Sequence, residues 1–166
     1  MLHRTAIDPV SAIMMTRSEF HHLCMEAARL CGDKAPYAEP DGFSLKVAGI
    51  EVVLTFSEEN GRSQVRGFFD LGQPEPSDRA ALCEYLLEAN LRHDDADAGQ
   101  NGFDAQTGQA IHLRFLDVDD EVDAGMLVNW LRNGIGETQP LREAITLSSN
   151  ARASLLNLPA TSNQPH

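Results

Sequence analysis

Lysine is nearly missing from this sequence. Lys34 and Lys46 are the only two, and the 13 lysines and arginines together face 25 aspartates and glutamates, for a net charge of -12. A protein that tracks a phosphate backbone or an anionic lipid surface needs a basic stripe. None can be built from this composition, which argues against nucleic acid and membrane surfaces as partners. Long apolar runs are missing too. The longest, such as Gly49 to Phe56, falls far short of the ~20 residues that span a bilayer, so no membrane insertion is expected. Between Met1 and Met15 the charged or breaking residues Arg4, Asp8, Pro9 and Ser11 interrupt any stretch of signal-peptide length. Cysteine is scarce: Cys24, Cys31 and Cys83 form no CxxC pair and leave an odd one over. That pattern suits buried thiols in a reducing cytosol better than a disulfide framework.

Signatures of chemistry are equally sparse. Nothing matches a Walker loop, and Gly134-Ile135-Gly136 lacks a third glycine and a preceding strand. The acidic runs fail as EF-hand loops. Counting from Asp97 puts Gly99 at a ligand position and Gly108 where the bidentate glutamate belongs; counting from Asp117 leaves no glycine at the sixth place. His21 and His22 diverge by about 100° on a helix and cannot clamp one metal together. No GxSxG elbow, HExxH or cysteine-nucleophile signature occurs. The residues therefore assign no catalytic, metal or cofactor site, and no enzyme activity is expected.

What is present is a foldable chain. Its 166 residues, 42% hydrophobic and 23% charged, fit one globular domain with a core of its own. Thr16-Arg17-Ser18-Glu19 reads as a capping box flanked by a Met15–Phe20 staple. Phe20, Leu23, Cys24, Ala27 and Cys31 follow on one helical stripe, and Gly32 stops the helix. The residues before Met15 read as a loose, disordered leader, with Met15 as an alternative translation start.

Three strands come next. If Ala48-Gly49 and Asn60-Gly61 are two-residue hairpin turns, Leu45 pairs with Val52 and Val52 with Phe69. One face then collects Phe43, Leu45, Val47, Ile50, Val52, Leu54, Phe56, Val65, Phe69 and Leu71 as core. The other carries Ser44, Lys46, Glu51, Thr55, Arg66 and Asp70, with two apolar exceptions, Val53 and Phe68, directly opposite each other. Either that pair floors a binding pocket, or the C-terminal helix or a partner subunit covers it.

Ser77 is a plausible N-cap for a second helix running to about Arg92. Leu82, Cys83, Tyr85, Leu86, Leu87, Ala89 and Leu91 spread over roughly two-thirds of its circumference, where a one-sided surface helix needs only ~100°. A second subunit is the natural second cover. Asp94 to Gln100 reads as an acidic loop. A second hairpin follows, from Gly102 through a Gln106-Thr107-Gly108 turn to the strand Ala110 to Leu116, with His112 on its polar side. Asp119 or Asp120 caps a third helix carrying Val122, Met126, Leu127, Trp130 and Leu131. Gly134, Gly136 and Pro140 then break it before a short segment from Leu141 to Leu147, and residues 148–166 read as a disordered tail. The order α-β-β-β-α-β-β-α defines an α+β domain, a twisted antiparallel sheet packed by helices, over residues 15–147.

Several of these fragments, in this order, resemble the class I type III secretion chaperones of the Tir-chaperone (CesT-like) family. They are the helix-hairpin start, Asp70-Leu71-Gly72 with Pro74 and Pro76 after it, Leu86-Leu87-Glu88-Ala89-Asn90-Leu91, and Gly102-Phe103 with Thr107-Gly108 and Leu113. The resemblance spans Met15 to Leu147. It implies a cytoplasmic bacterial homodimer joined through the second helix, with Leu82, Cys83, Leu86, Leu87, Asn90 and Leu91 at the interface. It implies an effector's N-terminal segment bound in extended form and handed on to the secretion ATPase. Val53 and Phe68, with Ser44, Thr55 and Arg66 around them and Phe20 and Leu23 of the first helix, are the candidate effector contacts. Exposed apolar pockets and accessible sheet edges are what such binding requires. The competing expectation is a small-molecule-binding or enzymatic α+β domain of similar topology, marked by a closed polar pocket holding titratable groups.

Overall fold

A computed structural model describes residues 15–59, 61–92 and 99–156, with side chains through residue 147. The leader before Met15, Asn60, most of the acidic loop and residues 157–166 lie outside the described residues. Helix α1 (Arg17–Cys31) starts as expected: Thr16 is its N-cap, both halves of the capping box are formed with Glu19, and Gly32 ends it at φ 74°. Phe20, Leu23, Cys24, Ala27 and Ala28 are its buried face.

The chain then folds through β1 (Tyr37–Glu39), β2 (Gly42–Val47), β3 (Ile50–Glu59) and β4 (Arg62–Gly72). A 3₁₀ turn (Pro76–Asp78) leads into α2 (Arg79–Arg92), followed by β5 (Gln100–Asp104), β6 (Gln109–Val118) and α3 (Ala124–Leu156). The six strands form one sheet in the order β1-β2-β3-β4-β6-β5, with every neighbouring pair antiparallel. The α+β class and both hairpin registers are as read from parity: Leu45 faces Val52, Val52 faces Phe69 and Val53 faces Phe68. The β2–β3 turn places Ala48 at φ 51° and Gly49 at φ 81°, the two positive values that a right-twisted two-residue hairpin demands.

Helices α1 and α3 cover one face of the sheet. Phe20, Leu23 and Cys24 of α1 and Leu127, Val128 and Leu131 of α3 pack with Phe43, Leu45, Val52, Leu54, Val65 and Phe69. A smaller cluster joins Leu82 and Leu86 of α2 to Leu71, Phe103, Ala110, Leu141 and Ile145.

Five expectations need correction. The sheet has a sixth strand, β1, which is exposed throughout and carries no alternation to reveal it; Pro40-Asp41 is its turn into Gly42. Ser77 lies inside the 3₁₀ turn, and α2 begins at Arg79. The cap of α3 is Asp123, whose Oδ1 accepts from the Met126 N–H at 2.8 Å. His112 sits on the helix-covered side, 3% exposed, opposite Phe69; Ile111, Leu113 and Phe115 are the ones that face away from the helices.

Finally, Gly134, Gly136 and Pro140 do not break α3, which continues to Leu156, past the expected start of the tail at Ser148. Leu127, Leu131, Gly134, Thr138, Leu141 and Ile145 keep one buried stripe through the proline, so packing continues on both sides of the lost backbone bond. Neighbouring carbonyls find side-chain donors. Thr138 Oγ1 donates to Gly134 O at 2.8 Å, Arg142 Nη2 donates to Ile135 O at 2.7 Å, and Arg142 Nη1 donates to Thr138 Oγ1. Gly134 is an approach point rather than a stop, since a Cβ there would lie 2.6 Å from Phe69 Cζ. Gly67 does the same for Trp130, where a Cβ would lie 2.6 Å from Cη2.

Candidate functional site

The face of the sheet turned away from the helices carries one transverse row through all six strands. Register pairs link Tyr37 to Ser44, Ser44 to Val53, Val53 to Phe68, Phe68 to Leu113 and Leu113 to Gln100. Ile111 and Phe115, two residues either side of Leu113, share this face because side chains alternate along a strand. Asp70 stands opposite Ile111 and Arg66 opposite Phe115. The Val53–Phe68 pair is therefore the start of a larger apolar patch. Hollows of about 270 Å³ and 240 Å³ flank Phe68: Ile111 and Leu113 line the first and Val53 and Ile111 the second. Val53, Phe68, Ile111 and Leu113 are half-buried and Phe115 is exposed.

Polar residues rim the patch in mutual contacts. Ser44 Oγ donates to Glu51 Oε1 at 3.1 Å, Arg66 Nη2 lies 3.6 Å from Glu59 Oε1, and Gln64 Nε2 donates to Asp117 Oδ1 at 3.0 Å. Asp70 Oδ1 accepts from the Gly72 N–H at 2.7 Å and from Gln109 Nε2 at 2.5 Å, at the irregularity that ends the β4–β6 ladder. Thr55 stands opposite Arg66 and beside Val53's row. The candidate residues Ser44, Val53, Thr55, Arg66 and Phe68 thus share one surface. Phe20 and Leu23 do not share it: at 1% and 6% exposure they belong to the core under α1.

Two points on the sheet edges are capped by side chains. On the β5 side, the Asn90 side chain of α2 hydrogen-bonds the backbone of Asn101 in both directions. On the β2 side, Asp33 Oδ2 accepts from the Lys46 N–H at 2.7 Å and its Oδ1 accepts from the Ala35 N–H at 3.0 Å. Those backbone bonds, from Ala35 first and Lys46 second, hold the Asp33 carboxyl below the usual carboxylate range. The outer strand β1 is three residues long between Pro36 and Pro40, the kind of blunted strand that resists pairing, whereas residues 56–59 of β3 and 114–118 of β6 each have a strand partner on one side only.

The residues expected at an α2 interface divide in two. Leu86 is buried and Leu82 packs beside it in the smaller core cluster, while Asn90 is engaged by Asn101. Cys83, Leu87 and Leu91 recur at i, i+4 and i+8 on one ridge, where Leu87 is 64% and Leu91 85% exposed.

A buried polar group lies under the sheet, unannounced by sequence pattern. His112 Nδ1 and Asn101 Oδ1 are 2.7 Å apart. Arg114 stacks 5.5 Å over the Trp130 ring and reaches Glu137 at 3.4 Å. The alternation of β6, once Ile111, Leu113 and Phe115 are known to face outward, is the signal that would have found both. Cys24, fully enclosed, has its thiol pushed far above the ordinary range by burial. Among the described residues no group of three or more His, Cys, Asp and Glu side chains could hold a metal ion, and no helix is long and apolar enough to cross a membrane.

No protein-family model matches the chain, and no curated protein matches it. Among solved structures, the ExoT-SpcS complex from Pseudomonas aeruginosa contains a similar chain. The two are 16% identical with a TM-score of 0.48, and the match covers 76% of this chain and 98% of that one.

Proposed function

We propose that this protein is a type III secretion chaperone that holds the N-terminal segment of an effector and keeps it secretion-competent. The observation that carries the reading is the row Val53–Phe68–Leu113, widened by Ile111 and Phe115, on a sheet face that no element among the described residues covers. A patch of this kind has a use when another chain buries it. An unfolded segment suits it better than a compact ligand, because the hollows are shallow, apolar and side by side.

The Cys83–Leu87–Leu91 ridge supports a homodimer through α2, which would set two such faces in one particle. Net charge of -12 keeps a surface with this much bare apolar area soluble. The reading carries with it the bacterial cytoplasm as the place of work, the effector and the secretion ATPase as partners, and no turnover by the chaperone itself.

The test is co-purification of the tagged protein from its native bacterium, with mass spectrometry of the bound chain, on wild type and on Val53→Ser/Phe68→Ser. Capture of a secreted protein through its first residues, lost in the double variant while the fold persists, supports the reading. Capture that survives the double variant, or a bound folded protein that does not engage through its N-terminal segment, sinks it.

A further inference from the structure

On the other side of the molecule a groove of about 590 Å³ runs between α1 and the start of α3. Met15, Leu23, Val122 and Ala124 supply its apolar lining, and Glu19, Glu26, Asp120 and Asp123 its rim. No lysine or arginine lines it among the described residues. We propose that this groove docks a cationic segment of a partner protein, one presenting aliphatic side chains to the floor and arginine or lysine to the rim. The inference goes beyond the chaperone reading and uses none of the residues of the open sheet face.

The argument is one of charge complementarity around an apolar floor. Glu19 and Asp123 are already committed, the first to the capping box with Thr16 and the second to the N-terminus of α3. Both helix starts are therefore neutralised by the chain itself, so they offer little attraction to an anion. Glu26 has only His22 beside it, at 3.7 Å, and Asp120 has no hydrogen bond or ion pair among the described residues. Two carboxylates on opposite walls with no lysine or arginine beside them, and two more behind them, repel an acidic occupant and attract a basic one. A second copy of this chain is a poor occupant, since it brings a net charge of -12 and only two lysines. A purely apolar segment would leave the rim charges without partners, whereas one with alternating arginine satisfies both floor and rim.

The test uses ¹⁵N-labelled full-length protein and two amphipathic peptides of about twelve residues, one of leucine and arginine, the other with glutamate for each arginine. The Leu/Arg peptide should shift the amides of Glu19, His22, Glu26 and Val122, and its affinity should fall roughly tenfold on raising salt from about 50 mM to about 500 mM. Glu26→Lys/Asp120→Lys should lose the Leu/Arg peptide and acquire the Leu/Glu one. The milder Glu26→Gln/Asp120→Asn, which disturbs no helix cap, should weaken the Leu/Arg peptide several-fold. Equal binding of the two peptides, shifts spread over the acidic surface or the open sheet face, no binding, or charge variants that bind as wild type would each overturn the proposal. None of these outcomes touches the Val53 and Phe68 test, so the two readings stand or fall separately.

Discussion

The side-chain amide of Asn90 takes the place of a neighbouring strand against Asn101. The Asn101 N–H donates to Asn90 Oδ1 at 2.7 Å, and Asn90 Nδ2 donates to the Asn101 carbonyl at 2.9 Å. Both backbone groups of a residue only 8% exposed are thereby satisfied, and the sheet ends under α2 instead of at an open ladder. Asn90→Ala should leave both groups without partners and cost about 1–3 kcal/mol in urea unfolding. It should also raise concentration-dependent association, because the β5 edge is then free. Asn90→Asp, which keeps the acceptor and loses the donor, should fall between wild type and the alanine variant. An alanine variant as stable and as dispersed as wild type would show that the pairing does neither job.

Much of this fold was legible because its signals are local. Thr16 and Glu19 mark a helix start within four residues, and two two-residue turns fix the parity of every residue from Phe43 to Leu71. What escaped was decided at longer range. Which side of β6 faces the helices depends on its pairing with β4, and only that pairing reveals His112 as interior and Leu113 as exterior. β1 is held by a register with β2, not by any pattern of its own. In the candidate surface, Val53 and Phe68 follow from parity, while Ile111, Leu113 and Phe115 share a side by alternation and only the β4–β6 register says which.

Gly134 and Gly136 look alike in sequence and should respond oppositely to alanine. Both changes gain helix propensity, roughly 0.5–1 kcal/mol each. At Gly136 no atom beyond its chain neighbours and the adjoining backbone of its own helix lies within 4 Å of the added methyl, so Gly136→Ala should stabilise by about that amount. At Gly134 the methyl would sit 2.6 Å from Phe69 Cζ and 2.7 Å from its Cε1. Overpacking of that order costs about 1–3 kcal/mol, so Gly134→Ala should destabilise on balance. Thermal melts of the two variants decide it; a stabilising Gly134→Ala would mean that α3 stands further from β4 than described.

Dimerisation through α2 can be separated from folding by choosing the right leucine. Leu87 and Leu91 are 64% and 85% exposed, so Leu87→Asp/Leu91→Asp removes almost nothing from the subunit core. Sedimentation should show a dimer for wild type and a folded monomer for the double variant. Leu82 packs into the core cluster around Leu86, and Leu82→Asp should instead unfold this end of the chain. A wild type that stays monomeric at tens of micromolar would remove the dimer.

The open face makes the sharpest prediction, because adjacent residues on the same two strands supply their own control. Val52 faces Phe69 toward the helices and Val53 faces Phe68 away from them. The first pair is 0% exposed, while the second is half-buried with no element among the described residues above it. Val53→Ser/Phe68→Ser removes apolar surface that only a partner would bury, and serine avoids setting like charges opposite each other in the ladder. Its melting temperature should fall by no more than a few degrees, consistent with a change of about 1 kcal/mol, while partner binding is lost. Val52→Ser/Phe69→Ser moves the same side chains one position along each strand and empties the core, where each large-to-small change costs roughly 2–5 kcal/mol. That variant should unfold or aggregate before binding can be measured. If the two double variants are destabilised equally, something covers the open face in the free protein and it is core; if the outer variant is stable and still binds its partner at full strength, the patch has no part in binding and the contact lies elsewhere on the molecule.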